Sequence, residues 1–258
     1  MHISETYILW EGCTFCVQQI QPNRTASTDT LVFLHDALGS IPQWKDFPKQ
    51  LAKTCRLNAV VIERQGHGKS SRFSKVRTKN YLQEEAFDVL PNILALLKIQ
   101  QPILVGHSDG GTIALLYASQ FKTKALVSIA AHVLVEEMTV QGIRDTLEHR
   151  KELKEKLSKY HFGKTEQLIR YWSETWLASE FQGFNILKEL QSITSPIMVI
   201  QSDHDPYGSL LQIESIFQQV ASTDKASLVV TNGGHLPHLA KTTEVVHQIA
   251  DFLSNRSD

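Results

Sequence analysis

One serine in the sequence lies between glycines, directly after an apolar run, which is a setting typical of a catalytic nucleophile. The run is LVGHSDGG, residues 104–111, and the helix-like TIALLYASQ follows it. Gly106, Ser108 and Gly110 have the spacing G-x-S-x-G, typical of a strand-to-helix turn that presents a serine hydroxyl. Glycine permits backbone paths that side chains would block. The spacing therefore predicts Ser108 as a nucleophile.

Two phosphate-binding interpretations of the same glycines fail on their remaining residues. A Walker-type loop requires a lysine directly before its serine or threonine, whereas His107 precedes Ser108. A dinucleotide loop requires G-x-G-x-x-G in the first strand-helix-strand unit, with an acid about 20 residues later. The sequence has neither pattern, so no nucleotide cofactor is expected.

A serine hydroxyl needs a base, and that base needs a third group to orient it. In the strand-turn-helix setting of G-x-S-x-G, the chain order is serine, then a carboxylate, then histidine. VIQSDHDPYGS offers Asp203 and Asp205 after one late strand, and VVTNGGHLPH offers His235 and His238 after the next. Both segments fall where parallel strands end, at one edge of a sheet, and so near the serine.

A metal site is the competing interpretation of the late histidines. His204, His235 and His238 together could ligate an ion, but the glycine-flanked serine would then have no purpose. We therefore expect no metal and no cofactor. The remaining histidines stand alone in the sequence and are expected to be ordinary surface or core residues: His2, His149, His161 and His247.

Apolar runs of strand length alternate with helical patterns along most of the chain. The strand candidates are TLVFLH, NAVVIER, PILVGH, ALVSIAA, PIMVIQS and ASLVVTN. Continuous β-rich runs separated by helices predict a doubly wound, mostly parallel α/β sheet with helices on both faces. The opening TYILWEGCTFCVQQ predicts an antiparallel hairpin at the sheet edge, and Pro91 is expected to kink its helix without ending it.

The segment that we call the helical insertion, residues 134–190, interrupts this alternation. It has no strand-like run, and it carries charged helical stretches such as IRDTLEHRKELKEKLSKY together with several aromatic residues. We predict that it forms a lid over the carboxyl edge of the sheet, with residues 1–133 and 191–258 as the core domain. The alternative is a set of extra helices packed on the flank.

Composition favours an ordinary globular protein. Hydrophobic residues make up 42%, charged residues 21%, and the net charge is -1, so no overall field favours nucleic acid. No apolar run approaches the roughly 20 residues that a membrane span needs, and no secretory signal opens the sequence. Three cysteines are too few for a disulfide framework, which suggests the cytoplasm. The pair Cys13 and Cys16 is expected to lie on a strand.

Two further loops carry a resemblance to a known family. FLHDALGS, residues 33–40, resembles the His-Gly loop of α/β-hydrolases, with Asp36 where glycine is usual. ERQGHGKS, residues 63–70, resembles their D-x-x-G-x-G-x-S loop, with Glu63 for the aspartate. With the serine turn and the late acid and histidine, the chain resembles a compact, lidded α/β-hydrolase of the esterase and lipase type from about residue 30 onward.

This resemblance implies a role for each catalytic group. Ser108 would be the nucleophile, Asp205 the acid because it directly precedes a proline, and His235 the base. The backbone amides of Ala37 and Asp109 would form the oxyanion hole. His35 is expected to orient the Ala37 loop, and His107 to pack beneath the serine turn. The predicted lining of the substrate pocket is His35, Leu38, His107, His132, Trp172 and Trp176.

The implied activity is hydrolysis of a small carboxylic ester through an acyl-enzyme. Some lidded relatives cleave methyl esters of acyl chains on an acidic carrier protein, as for pimeloyl chains in biotin synthesis. Six cations of the insertion could dock such a partner, although acids alternate with them as on a solvated helix: Arg144, Arg150, Lys151, Lys154, Lys156 and Lys159. Enol-lactone or C–C bond hydrolysis, a proton-abstracting lyase or synthase, and a non-catalytic small-molecule binder remain alternatives.

Overall fold

A computed structural model of the protein describes residues 1–25 and 28–254, and one eight-stranded sheet organises them. The strands are β1 His2–Trp10, β2 Cys13–Gln21, β3 Thr30–Leu34, β4 Asn58–Ile62, β5 Ile103–His107, β6 Ala125–Ile129, β7 Ile197–Ser202 and β8 Lys225–Val230. Their order across the sheet is β1-β2-β4-β3-β5-β6-β7-β8. From β4 to β8 every neighbouring pair is parallel, which confirms the predicted mostly parallel α/β sheet.

Helices cover both faces of the sheet. They are α1 Phe47–Cys55, α2 Tyr81–Glu84, α3 Leu90–Leu96, α4 Asp109–Gln120, α5 Glu137–Glu148, α6 Arg150–His161, α7 Thr165–Leu177, α8 Leu187–Leu190, α9 Leu211–Gln219, α10 Pro237–Ala240 and α11 Thr242–Ser254. Short 3-10 helices span Ile41–Trp44 and Ser179–Phe181. No helix within the described residues is long and apolar enough to cross a membrane.

The two faces of the central strands bury different side chains. On β3, Val32 and Leu34 pack into the core layer that contains α3 and α4. Leu31 and Phe33 point to the opposite face and pack with residues of α1 and α11. Because side chains alternate along a strand, a strand covered on both sides must be apolar at every position. This requirement explains the continuous apolar runs in the sequence.

The amino-terminal hairpin lies at the edge of the sheet, as predicted. β1 pairs antiparallel with β2, and β2 pairs antiparallel with β4. Cys13 and Cys16 are free thiols on β2 and belong to different core layers, since an odd spacing along a strand points their side chains to opposite faces. They therefore behave as strand residues.

The helix around Pro91 continues without a break because a π-helical turn, Glu85–Val89, joins α2 to α3. Proline has no amide hydrogen, and its ring collides with the carbonyl one turn earlier in a regular helix. A wider turn directly before the proline relieves this conflict. The expected tolerance of Pro91 thus has a local structural cause.

The helical insertion holds α5, α6, α7 and α8 between β6 and β7. The corner between α6 and α7 is tied to the loops that follow β3 and β4. His161 accepts a hydrogen bond from the amide of Gly68 at 3.0 Å and donates one to the carbonyl of Leu38 at 3.0 Å. The ammonium of Lys164 donates to three carbonyl groups of residues 67–70. These bonds join the insertion to the two loops that follow the carboxyl ends of β3 and β4.

Candidate active site

The turn at Ser108 depends on a close approach between backbone segments. A Cβ atom on Gly106 would lie 2.1 Å from the carbonyl oxygen of Gly110, and one on Gly110 would lie 1.9 Å from that of Leu34. No side chain fits either position. Ser108 itself has φ +52° and ψ -119°, a strained conformation for a residue with a side chain. The strand, turn and helix thus raise the Ser108 hydroxyl at the carboxyl edge of β5.

Three side chains from separate loops form a continuous hydrogen-bonded row at this edge. The Nε2 atom of His235 lies 3.0 Å from the Oγ atom of Ser108. Its Nδ1 atom lies 2.8 Å from Oδ2 and 3.0 Å from Oδ1 of Asp205. The Asp205 carboxylate is 3% exposed and also accepts a hydrogen bond from the amide of Tyr207. The row has the order that proton transfer from a serine hydroxyl requires.

Burial and neighbouring charges have opposite effects on the pKa values of His235 and Asp205. Burial disfavours the imidazolium form of His235, but the nearby Asp205 carboxylate outweighs it and raises the pKa of His235 above the usual value. Burial likewise favours the protonated form of Asp205, whereas His235 and the amide of Tyr207 hold its pKa below the usual value. The acid therefore stays ionised while the imidazole becomes a stronger base.

Asp203 and His238, the alternative candidates for the acid and the base, are not part of the hydrogen-bonded row. Asp203 accepts hydrogen bonds from the ring of His204 at 2.7 Å and from the amide of Asn232 at 2.7 Å, away from the His235 ring. His238 is 2% exposed and packs against Trp44, with ring centroids 5.0 Å apart. Burial lowers the pKa of His238 well below the usual value. Neither residue contacts the serine hydroxyl.

Two residues predicted to line the pocket, His35 and His107, lie behind it. Both are 2% exposed, and neither belongs to the described lining of the cavity beside Ser108. His107 donates from Nε2 to the carbonyl of His235 at 2.7 Å, and its Nδ1 lies 3.4 Å from a carboxylate oxygen of Asp36. The ring of His35 bonds to the backbone of Asp36 and Arg64 instead. The pocket prediction for these two residues is therefore wrong, because both rings are consumed by hydrogen bonds within the core loops.

Ala37 and Asp109, the two residues predicted to supply the oxyanion amides, both line the cavity beside Ser108. Ala37 lies in the loop after β3, and Asp109 begins α4. The amino-terminal end of a helix presents free amide hydrogens and a positive partial charge. Two such amides beside a reactive hydroxyl can stabilise the oxyanion of a tetrahedral intermediate.

The cavity beside Ser108 has a volume of about 310 Å³ and an asymmetric wall. The core contributes Asp36, Ala37, Leu38, Gln43, Ser108, Asp109, His132, Tyr207, His235 and Leu236. The helical insertion contributes Thr139, Ile143, Thr146, Leu153, Leu157, Trp172 and Trp176. Of the predicted pocket residues, Leu38, His132, Trp172 and Trp176 are in this lining. Among the described lining residues, neither lysine nor arginine is present, while Asp36 brings a carboxylate.

Several residues that organise the site were missed in the sequence. Arg64 is 3% exposed and contacts both Asp36 and Asp109, and Tyr81 donates to the Asp109 carboxylate at 2.9 Å. His161 was expected to be an ordinary surface or core residue, yet it anchors the insertion to the core. The available signal for Arg64 was its position in the ERQGHGKS loop, next to Glu63 and directly after an apolar strand. Nothing in the local sequence marked Tyr81.

Within residues 1–25 and 28–254, no group of three histidine, cysteine, aspartate or glutamate side chains is arranged to hold a metal ion. The late histidines considered for such a site are separated by their contacts. His204 bonds to the exposed Asp203, His235 to Asp205 and Ser108, and His238 packs with Trp44.

Comparisons with known proteins agree with this architecture. The model of a family described as the alpha/beta hydrolase family matches residues 31–248. Serine hydrolase BPHL of Mus musculus is 24% identical over 220 residues, covering 81% of this chain and 74% of that protein. A bacterial membrane phospholipase A structure superimposes with a TM-score of 0.78 at 17% identity, covering 98% of this chain and 86% of that chain. MGS-M2, an α/β hydrolase from a deep-sea metagenome library of the Medee basin, gives 0.77 at 16% identity, covering 96% and 97%.

Proposed function

The chain belongs to the α/β hydrolase family, and from this premise we propose that it is a serine hydrolase that cleaves small, uncharged carboxylic esters. The observation that carries the proposal is the row in which His235 lies 3.0 Å from Ser108 and 2.8 Å from Asp205. Ester cleavage is the chemistry that this row and two adjacent amides support with no further group.

The reaction begins with proton transfer from Ser108 to Nε2 of His235 while the serine oxygen attacks the ester carbonyl. Asp205 stabilises the resulting imidazolium, and the amides of Ala37 and Asp109 stabilise the oxyanion. His235 then returns its proton to the departing alcohol, which leaves an acyl-enzyme. Water, deprotonated by His235, attacks the acyl carbon and releases the carboxylic acid and free Ser108.

The lining of the cavity supports an apolar, uncharged substrate. The insertion supplies Leu153, Leu157, Trp172 and Trp176, side chains that gain from contact with an alkyl or aryl group. Burial opposes the charge of Asp36, but the hydrogen bond and charge of His107 outweigh it and hold the pKa of Asp36 below its usual range. A substrate carboxylate would therefore meet a like charge near the reacting carbon.

We further propose that the helical insertion, residues 134–190, acts as the lid of a core formed by residues 1–133 and 191–258. Its α5, α6 and α7 helices supply seven of the cavity's lining residues, and its α6–α7 corner bonds to the loops after β3 and β4. An element that both covers the nucleophile and contacts the substrate pocket can exclude water from the reaction.

The charged surface of α6 favours a free ester over an acyl chain bound to an acidic carrier protein. Arg150 and Lys154 of α6 both pair with Glu166, at 2.6 and 2.9 Å. Acids Glu152 and Glu155 also interrupt the cations of the same helix. Because these contacts neutralise positive charge that an acidic carrier would need, we propose a free ester rather than a pimeloyl chain on a carrier protein.

Labelling and turnover together test this proposal. We expect hydrolysis of p-nitrophenyl esters and covalent attachment of a fluorophosphonate to Ser108, located by mass spectrometry. Ser108→Ala should lower kcat by roughly 10⁴- to 10⁶-fold and abolish labelling without changing Tm. Ser254→Ala, which removes an exposed hydroxyl on α11, serves as the matched control.

Each alternative leaves a different trace in the same experiment. A lyase or synthase would turn over its substrate without an acyl-enzyme burst, and a binding protein would bind esters with negligible turnover. A lactone or C–C bond hydrolase would label at Ser108 but favour those substrates in a panel. Retained ester hydrolysis in Ser108→Ala would refute the nucleophile assignment.

A further inference from the structure

The buried guanidinium of Arg64 contacts both backbone segments of the proposed oxyanion hole, on the side away from the cavity. The Nη2 atom of Arg64 lies 2.8 Å from the carbonyl oxygen of Asp36 and 3.3 Å from Oδ2 of Asp109. Arg64 is 3% exposed and is not among the described residues that line the cavity. A cation that reaches both oxyanion segments without touching the substrate space is placed to act on their geometry.

Peptide geometry connects the first contact to the reaction. The carbonyl of Asp36 and the amide hydrogen of Ala37 belong to one planar trans peptide, so they point in opposite directions. Arg64 holds the carbonyl on the core side, and the ring of His35 donates to the same oxygen at 2.7 Å. The amide of Ala37 is thereby turned toward the cavity. A charged donor on the carbonyl also polarises the peptide and strengthens its amide as a hydrogen-bond donor.

The second contact acts on the amide of Asp109. Its carboxylate, 1% exposed, is held between Arg64 and the hydroxyl of Tyr81, which donates at 2.9 Å. Tyr81 in turn accepts a hydrogen bond from the indole of Trp176 at 2.9 Å. These bonds anchor the first residue of α4, whose amide is the other oxyanion donor. They also connect that donor to the helical insertion, because Trp176 lies on α7.

We propose that Arg64 is a positioning residue that aligns the Ala37 and Asp109 amides toward the developing oxyanion. The inference rests on the proposed ester hydrolysis. Arg64 touches neither the substrate nor Ser108, so its contribution appears only when negative charge develops on the carbonyl oxygen. It therefore lowers the barrier without tightening binding of the ester itself.

Removal of the side chain tests this role. We expect Arg64→Met to lower kcat about 10- to 100-fold while KM for a p-nitrophenyl ester changes less than about twofold, since direct loss of an oxyanion donor costs about 10²- to 10³-fold. Affinity for an alkyl boronic acid, which forms a tetrahedral adduct with the serine, should fall by the same factor. The acid limb of the pH profile, set by His235, should not move.

Arg77→Met is the matched control, because the Arg77 guanidinium packs 4.3 Å from the ring centroid of Tyr81, close to the same cluster, and has no described hydrogen bond to the loop after β3 that carries Ala37. Should Arg64→Met fail to fold, the double variant Arg64→Met, Asp109→Asn carries neither charge of the buried pair. Compared with Asp109→Asn alone, it should still lose about tenfold in kcat and in boronic acid affinity.

Three results would overturn the inference. They are unchanged boronic acid affinity in a folded Arg64→Met variant, a rise of KM equal to the fall of kcat, and equal behaviour of the double and single variants. Failure of the wild-type protein to label at Ser108 would instead refute the proposed function. The two failures are therefore distinguishable in one set of measurements.

Discussion

The two walls of the active-site cavity differ in character: the core wall carries polar groups that are hydrogen-bonded to one another, and the insertion wall carries mainly apolar side chains. On the core wall, Ser108, His235 and Asp205 are held by mutual hydrogen bonds, and the loop after β3 is held by Arg64 at Asp36 and by His161 at Leu38. The wall from the helical insertion is mainly apolar and contacts the cavity through side chains such as Trp172. We therefore expect the catalytic groups to lie on the core wall, and selection for apolar substrates to depend mainly on the wall from the insertion.

Loss of the acid should have the largest effect on the core wall. We expect Asp205→Asn to lower kcat by about 10³- to 10⁴-fold, because His235 would lose its orientation and its compensating charge. Asp203→Asn, two residues away and bonded to Asn232 and His204, should change kcat less than about twofold. Steady-state ester hydrolysis measures both. The reverse pattern would assign the acid to Asp203.

A substitution on the insertion wall should change substrate choice instead. We expect Trp172→Ala to lower kcat/KM for long-chain p-nitrophenyl esters by roughly 10- to 100-fold, since a buried aromatic side chain contributes a few kcal/mol of apolar contact. Acetate ester turnover should change far less. Phe162→Ala, an exposed aromatic of the same insertion, is the control. An equal loss for short and long esters would contradict the division between the walls.

Removal of the Asp36 charge should have a smaller effect on kcat/KM, and one that depends on the charge of the substrate. Asp36→Asn should raise kcat/KM for a monoester of a dicarboxylic acid by roughly tenfold relative to a neutral ester of equal length, because removal of one like charge relieves repulsion across the cavity. The asparagine can still accept the hydrogen bond that the amide of Leu38 donates to Asp36. Equal gains for charged and neutral esters would argue against electrostatic selection.

The smallest expected effect is a displacement of the pH profile. Activity requires neutral His235, so kcat/KM should fall as the pH drops through the raised pKa of His235. Asp205→Asn removes the charge that raises this pKa, and the acid limb of its residual activity should therefore move to lower pH. A limb that stays in place would show that another group controls it.

Much of the fold was predictable because its signals are local. The continuous apolar runs between helical segments indicated the parallel strands, and G-x-S-x-G indicated the strained turn, whose Gly106 and Gly110 allow close approach of backbone segments. Chain order and the proline after Asp205 pointed to the residues now found in the hydrogen-bonded row. The pocket was less predictable. His35 and His107 each lie within two residues of a predicted catalytic group in the sequence, but their rings turn into the core.

The amino-acid sequence by itself determined the sheet, the position of the serine turn and the small set of acids and histidines that could serve it. Only the tertiary structure decided that Asp205 meets His235, that Arg64 reaches both Asp36 and Asp109, and that His161 bonds to Leu38, 123 residues away in the chain. The reason is physical. A backbone turn depends on neighbouring residues, whereas a buried hydrogen bond between distant residues exists only when packing brings both groups together and excludes water from them.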